Sequence, residues 1–107
     1  MQLFATLVGA SFRGKDAIAT VKGLTPADAD DISLVPEPEN KYDDHAVRVI
    51  YAGKHVGYLA RENNREIHEA LLAGATPSIT LVSVGSAKPT MLIEYDEDDS
   101  DFDGDDD

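Results

Sequence analysis

The feature that most constrains this fold is a pair of β-branched segments separated by a short turn. Ala46-Val47-Arg48-Val49-Ile50-Tyr51 has the composition of a strand. Ala52-Gly53-Lys54 supplies a turn, and His55-Val56-Gly57-Tyr58-Leu59 returns as the partner strand. A hairpin cannot bury its apolar face alone, so the rest of the chain must supply further strands or a helix to cover it. Leu3, Ala5 and Leu7 alternate with Phe4, Thr6 and Val8, which predicts a first strand over 2–8 with both faces partly buried. A strand from Ile32 is ended by Pro36 and Pro38. Two further strands are expected over 78–84 and 90–95, joined by Gly85-Ser86-Ala87-Lys88-Pro89.

Two segments carry helical spacing. Lys15 to Lys22 sets Ala17, Ile18 and Val21 on one face, a short helix that Gly23-Leu24-Thr25-Pro26 stops. Residues 61–73 form the clear helix, with Ile67, Leu71 and Leu72 expected on its apolar face and Gly74 as its C-terminal cap. About five short strands and one solid helix predict a mainly β (α+β) chain, a small antiparallel barrel or curled sheet.

Charge divides the chain. Of its 21 acidic residues, nine lie in the last twelve positions, which leaves 12 acids against 9 bases, a net of −3, in residues 1–95. The net charge of −12 therefore belongs mostly to the tail and does not exclude nucleic acid as a ligand of the body. The expected organisation is a folded domain over 1–95 and a disordered acidic tail over 96–107, because the tail has too little apolar area to bury. The absence of cysteine removes any disulfide framework, thiol nucleophile or thiolate metal site. No apolar run reaches membrane-spanning length, and no basic segment precedes an apolar one at the N-terminus. The expectation is a cytoplasmic protein, nuclear if its source has a nucleus, with no membrane partner.

Catalysis finds no support in the sequence. None of Ser11, Ser33, Ser78, Ser83 or Ser86 has a nucleophile-elbow context, and no glycine loop cradles a phosphate. Asp43-Asp44-His45, with His55 or His68, offers metal-ligand types without ligand spacing, and His68 beside Glu66 and Glu69 reads as a solvated helix position. Asp99, Asp101, Asp103 and Gly104 match half of a calcium loop, but neither the twelfth-position glutamate nor flanking helices follow. The expectation is no catalytic residue, no cofactor and no dedicated metal site.

Three segments together resemble the HIRAN domain family. Val8-Gly9-Ala10-Ser11-Phe12 matches V-G-x-S-F/Y, and Gly57-Tyr58-Leu59 matches I/V-G-Y/H-L/I. Between them, the run from Leu34 through Glu37-Pro38-Glu39-Asn40-Lys41-Tyr42-Asp43 to Val49 matches R-E-P-x-N-P-Y-D-x-N-A-I/V-x-V. The resemblance spans roughly 3–85 and implies a modified OB-like barrel that grips the 3′-hydroxyl end of single-stranded DNA. Carried over singly, it makes Phe12 the support for the terminal base and gives the last sugar to Tyr42 and Asp43. It brings Arg61 to a phosphate and sets Tyr58 where some members have histidine. Departures occur at Ser11, where a base is usual although Arg13 follows the aromatic, at Lys41 for a proline, and at Val84 for an aromatic.

The residues themselves allow two readings each. Phe12 is either a stacking platform, which tolerates any base, or a core residue. Tyr42-Asp43 is either a hydroxyl acceptor site or an ordinary turn, with Asn40 a turn-former in both cases. Arg61 sits where a helix start favours phosphate, or is merely solvated. Tyr58 contacts a ligand or packs in the sheet. The expected partner is a single-stranded or frayed DNA end, with the tail tuning that binding. The alternative is an interaction or DNA-mimic module with a vestigial pocket, whose acidic tail docks on a basic protein.

Overall fold

The structure is a computed structural model that describes residues 1–96. The expected acidic tail, apart from Asp96, lies outside the described residues. The element order is β1 (Gln2–Val8), α1 (Ala10–Arg13), α2 (Lys15–Lys22), a 3-10 helix (Pro26–Asp31), β2 (Ile32–Glu37), β3 (Ala46–Tyr51), β4 (Lys54–Leu59), α3 (Arg61–Leu72), β5 (Ser78–Leu81) and β6 (Thr90–Glu94). All six strands join one antiparallel sheet in the order β2-β3-β4-β1-β6-β5.

β1 is the pivot of this sheet. Its residues Gln2 to Thr6 pair with β6, whereas Leu7 and Val8 pair with Leu59 and Tyr58 of β4. One strand shared end-to-end between two partners forces the sheet to curl. β4 adds a bulge, since Val49 faces Gly57 while Ile50 faces His55, and a bulge raises local twist. The result is an OB-like half-barrel. It is left open between β2 and β5, and the 3-10 helix that leads into β2 packs against β5.

The core follows from strand alternation. Ala5 and Leu7 of β1, Val47 and Val49 of β3, Val56 and Leu59 of β4, and Met91 and Ile93 of β6 are buried together with Val21 and Ile67. The opposite face of β1 is more open than expected, with Thr6 and Val8 half-buried and Phe4 exposed. The β3–β4 hairpin closes through Ala52 and Gly53, both at positive φ as a two-residue hairpin turn requires.

Helix α3 corrects two expectations. Its buried face is Asn64, Ile67 and His68, with Leu71 packed against the core, so the stripe follows 64, 67, 68 and 71. Leu72 falls off that stripe and is exposed, whereas His68, read as solvated, is 2% exposed. The helix ends as expected: Gly74 N–H donates to Leu71 and Ala75 N–H to Ala70, the paired bonds of a glycine-terminated helix. β5 stops at Leu81 rather than residue 84. There both Val82 N–H and Ser83 N–H turn onto the Thr90 carbonyl, and the Ser83 hydroxyl oxygen accepts the Thr90 N–H, which ends the ladder. No helix among the described residues is long and apolar enough to cross a membrane.

Candidate nucleic-acid interface

The C-terminal end of β1 opens onto a cavity of about 340 Å³. Val8 of β1 and Tyr58 and Leu59 of β4 form one wall, and Asn40, Tyr42, Asp43 and Ala46 form another. Phe12 and Arg61 complete the lining. Five of the six residues expected at the site from sequence thus surround one space. Arg13 does not line it. Its positive charge is among the groups that lower the pKa of His55 and oppose the rise at Tyr58.

Two rings at this cavity lie in solvent: Phe12 is 90% exposed and Tyr42 85%. Phe12 is therefore not a core residue. Its position follows from Gly9, whose φ of +81° lets the chain turn sharply out of β1, and Phe12 N–H then donates to the Gly9 carbonyl at 3.0 Å. Tyr42 rides on a turn nucleated by Asn40. The Asn40 Oδ1 accepts the N–H groups of Tyr42 and Asp43 at 2.8 and 3.0 Å, so Asn40 is the turn-former expected of it.

Asp43 is held on both oxygens. Oδ1 accepts the His45 N–H at 2.9 Å, and Oδ2 accepts the Asn64 side-chain amide at 2.7 Å, with the Arg61 Nε 3.5 Å away. A carboxylate offers about four lone-pair sites, so these contacts leave Asp43, which lines the cavity, roughly one acceptor position. Burial raises the pKa of Asp43, but the His45 N–H, the Asn64 amide and the Arg61 charge outweigh it and keep the group below the ordinary carboxylate value. Arg61 in turn donates from Nη2 to the Tyr42 carbonyl at 2.8 Å, tying the start of α3 to the turn.

Asn64 and His68, one helical turn apart, anchor the same loop. Asn64 reaches Asp43, and His68 Nδ1 lies 3.0 Å from the Ala46 carbonyl, to which it donates. Sequence reasoning missed both. The available signal was that polar side chains occupied the stripe shared with Ile67. Also missed was Glu37, which accepts from Tyr58 Oη at 2.8 Å, Asn40 Nδ2 at 2.8 Å and Arg48 at 2.8–2.9 Å. The Tyr58 hydroxyl is thereby fixed, so Tyr58 both packs in the sheet and presents a ring to the cavity. Asp43, Asp44 and His45 bring three ligand-type atoms within 4.8 Å of one another.

Glu37 gives a stability prediction. The Asn40 amide, helped by Tyr58 and Arg48 and opposed by burial, holds its carboxyl down from 4.5 to about 2. A group whose pKa falls on folding stabilises the protein above its unfolded value and loses that contribution as pH drops through the folded one. Acidification from pH 4.5 to about 2 is expected to remove ~1–3 kcal/mol through Glu37, after allowance for its partial exposure. Urea midpoints for wild type and Glu37→Gln should converge over that interval. A constant gap between them would dismiss the role.

The HIRAN-domain family model matches residues 2–93. The chain belongs to the HIRAN family. Among solved structures, a protein from Lactobacillus plantarum is similar at 26% identity and a TM-score of 0.66, over 91% of this chain and 96% of that one. The HIRAN domain of human HLTF is similar at 17% identity and a TM-score of 0.65, over 88% of this chain and 74% of that one. No curated protein matches. HIRAN domains are DNA-binding modules rather than catalytic ones, and membership supports a nucleic-acid-binding module here.

Proposed function

We propose that this HIRAN domain captures single-stranded or frayed DNA ends and seats a 3′-hydroxyl terminus in the cavity at the end of β1. The observation that carries the reading is Asp43, an ionised acceptor with about one position left and two exposed rings beside it. A terminal sugar brings a hydroxyl to such an acceptor, whereas an internal nucleotide brings a phosphate that a carboxylate repels. Phe12 and Tyr42 stack on the base irrespective of its identity, and Arg61 meets the adjoining phosphate. Arg13, outside the cavity lining, adds a positive field rather than a direct contact. Anisotropy titration of a 3′-hydroxyl oligonucleotide against the same strand carrying a 3′-phosphate tests this. Tighter binding of the hydroxyl strand is expected, and equal affinity would defeat the end-recognition reading.

The acidic tail modulates this binding. Tyr95 N–H donates to the Met1 carbonyl, and the Met1 amino group to the Tyr95 carbonyl, so the tail departs from the opposite end of β1. Seven strand steps separate Met1 from Val8, about 23 Å, and twelve residues extended span up to ~40 Å. The nine acids at 96–107 can thus compete with phosphates for Arg61 and Arg13. Truncation after Tyr95 is expected to raise DNA affinity several-fold at low salt, with the gain fading as salt is added. Identical binding by truncated and full-length protein would instead favour a tail that docks on a basic protein.

A further inference from the structure

The cavity accounts for the end of a strand but not for the nucleotides that precede it. The outer face of β1 leads away from it. Val8, which lines the cavity, shares its pleat face with Thr6 and Phe4, because alternate residues of a strand point the same way. Phe4 is 58% exposed, and its ring makes no aromatic contact among the described residues. It sits four residues from Val8, about 13 Å along the strand.

The route between them is bordered by residues a strand of DNA tolerates. Thr6 and Phe4 face Thr90 and Leu92 of β6, all uncharged. On the β4 side, Asn63 of α3 donates its side-chain amide to the Phe4 carbonyl, so the start of α3 borders the route next to Arg61. On the β6 side, the Pro89 carbonyl accepts the Leu7 N–H, which brings neighbouring Lys88 close to β1, and Lys88 makes no ion pair among the described residues. Past Phe4 the character changes, since Gln2 donates to Glu94 and a carboxylate there opposes phosphates. The favourable stretch therefore starts at the cavity and stops at Phe4.

We infer that Phe4 is a second base-stacking platform, taking a base upstream of the terminal nucleotide as the strand leaves the cavity along β1. This rests on the end-capture reading above and adds the direction and length of the bound strand. At about 3.4 Å per stacked nucleotide, 13 Å corresponds to roughly four steps, and to fewer for a splayed strand. Stacking on an aromatic side chain contributes about 5- to 160-fold per base and is indifferent to sequence.

The test is a length series of 3′-hydroxyl oligothymidylates, from a dinucleotide to an octanucleotide, measured on the full chain by competition with a labelled octanucleotide. Wild-type affinity should climb with length and level off once the strand reaches Phe4. Phe4→Ala should match wild type on the dinucleotide and lose about 5- to 160-fold on the octanucleotide, while Phe4→Tyr should keep the long-strand gain. If Phe4→Ala follows wild type at every length, or weakens the dinucleotide as much as the octanucleotide, the platform is refuted while end capture stands. If wild type binds no strand of any length, end capture fails and the platform with it.

Discussion

Asp43→Ala is expected to weaken binding of a 3′-hydroxyl oligonucleotide by ~1.5–3 kcal/mol, the range for a hydrogen bond to a charged group. The loss should shrink on a 3′-phosphate strand, which lacks the hydroxyl. Phe12→Ala should weaken both strands alike, through lost stacking that does not depend on the terminal group. Because Asp43 Oδ1 also closes the turn onto His45 N–H, the alanine variant removes a structural bond along with a binding one. Asp43→Asn separates the two. Its amide oxygen can still accept from His45, while its charge and its pairing with Arg61 are gone. An asparagine variant that binds the hydroxyl strand like wild type would reduce Asp43 to a turn residue. Asn64→Ala should bring part of the same loss, since it frees Asp43 Oδ2 from the bond that aims it.

What the sequence made legible divides by range. The β3–β4 hairpin was readable because β-branched content and a glycine-bearing turn act locally. The position of α3 was readable for the same reason, but its face was not. Leucines at 71 and 72 drew the expected stripe too far round, and the polar pair Asn64 and His68 hid the true one. Polar side chains are buried only when partners satisfy them, and those partners are Asp43 and the Ala46 carbonyl, 21 and 22 residues away. Glu37 escaped notice likewise, because its bond to Tyr58 spans 21 residues. Whether Phe12 lay in the core or in solvent depended on the turn at Gly9 and on what packed there, which its neighbours in sequence do not specify. Arg13 follows Phe12 in sequence but does not line the cavity, because consecutive positions of a helical turn point in different directions. All six strands stand where their segments were expected, but the way β1 divides its length between β4 and β6, which curls the sheet, is set by pairing between distant segments and was not legible.

Gly57→Ala should destabilise the domain and weaken DNA binding together. A Cβ at Gly57 would stand 2.6 Å from the Val8 carbonyl oxygen and 2.7 Å from Leu7 Cδ2. The first of these atoms is backbone and cannot turn aside as a side chain would. β1 and β4 meet through only two register pairs, Leu7 with Leu59 and Val8 with Tyr58. Relief of the clash therefore has to part the two strands at their one junction. Overpacking of this kind costs about 1–3 kcal/mol, which in a domain of this size lowers the melting temperature by roughly 4–20 °C. The same displacement separates Val8 from Tyr58, and both line the cavity. DNA affinity should consequently fall even well below the melting temperature, where the variant remains folded, and it should fall on hydroxyl and phosphate ends alike. That pattern distinguishes it from Asp43→Ala, whose loss depends on the terminal group and whose melting temperature should move less. A Gly57→Ala protein that melts within a degree or so of wild type would show that β1 and β4 do not approach as closely as this junction requires. It would also remove the physical reason for a glycine at the start of the Gly57-Tyr58-Leu59 motif.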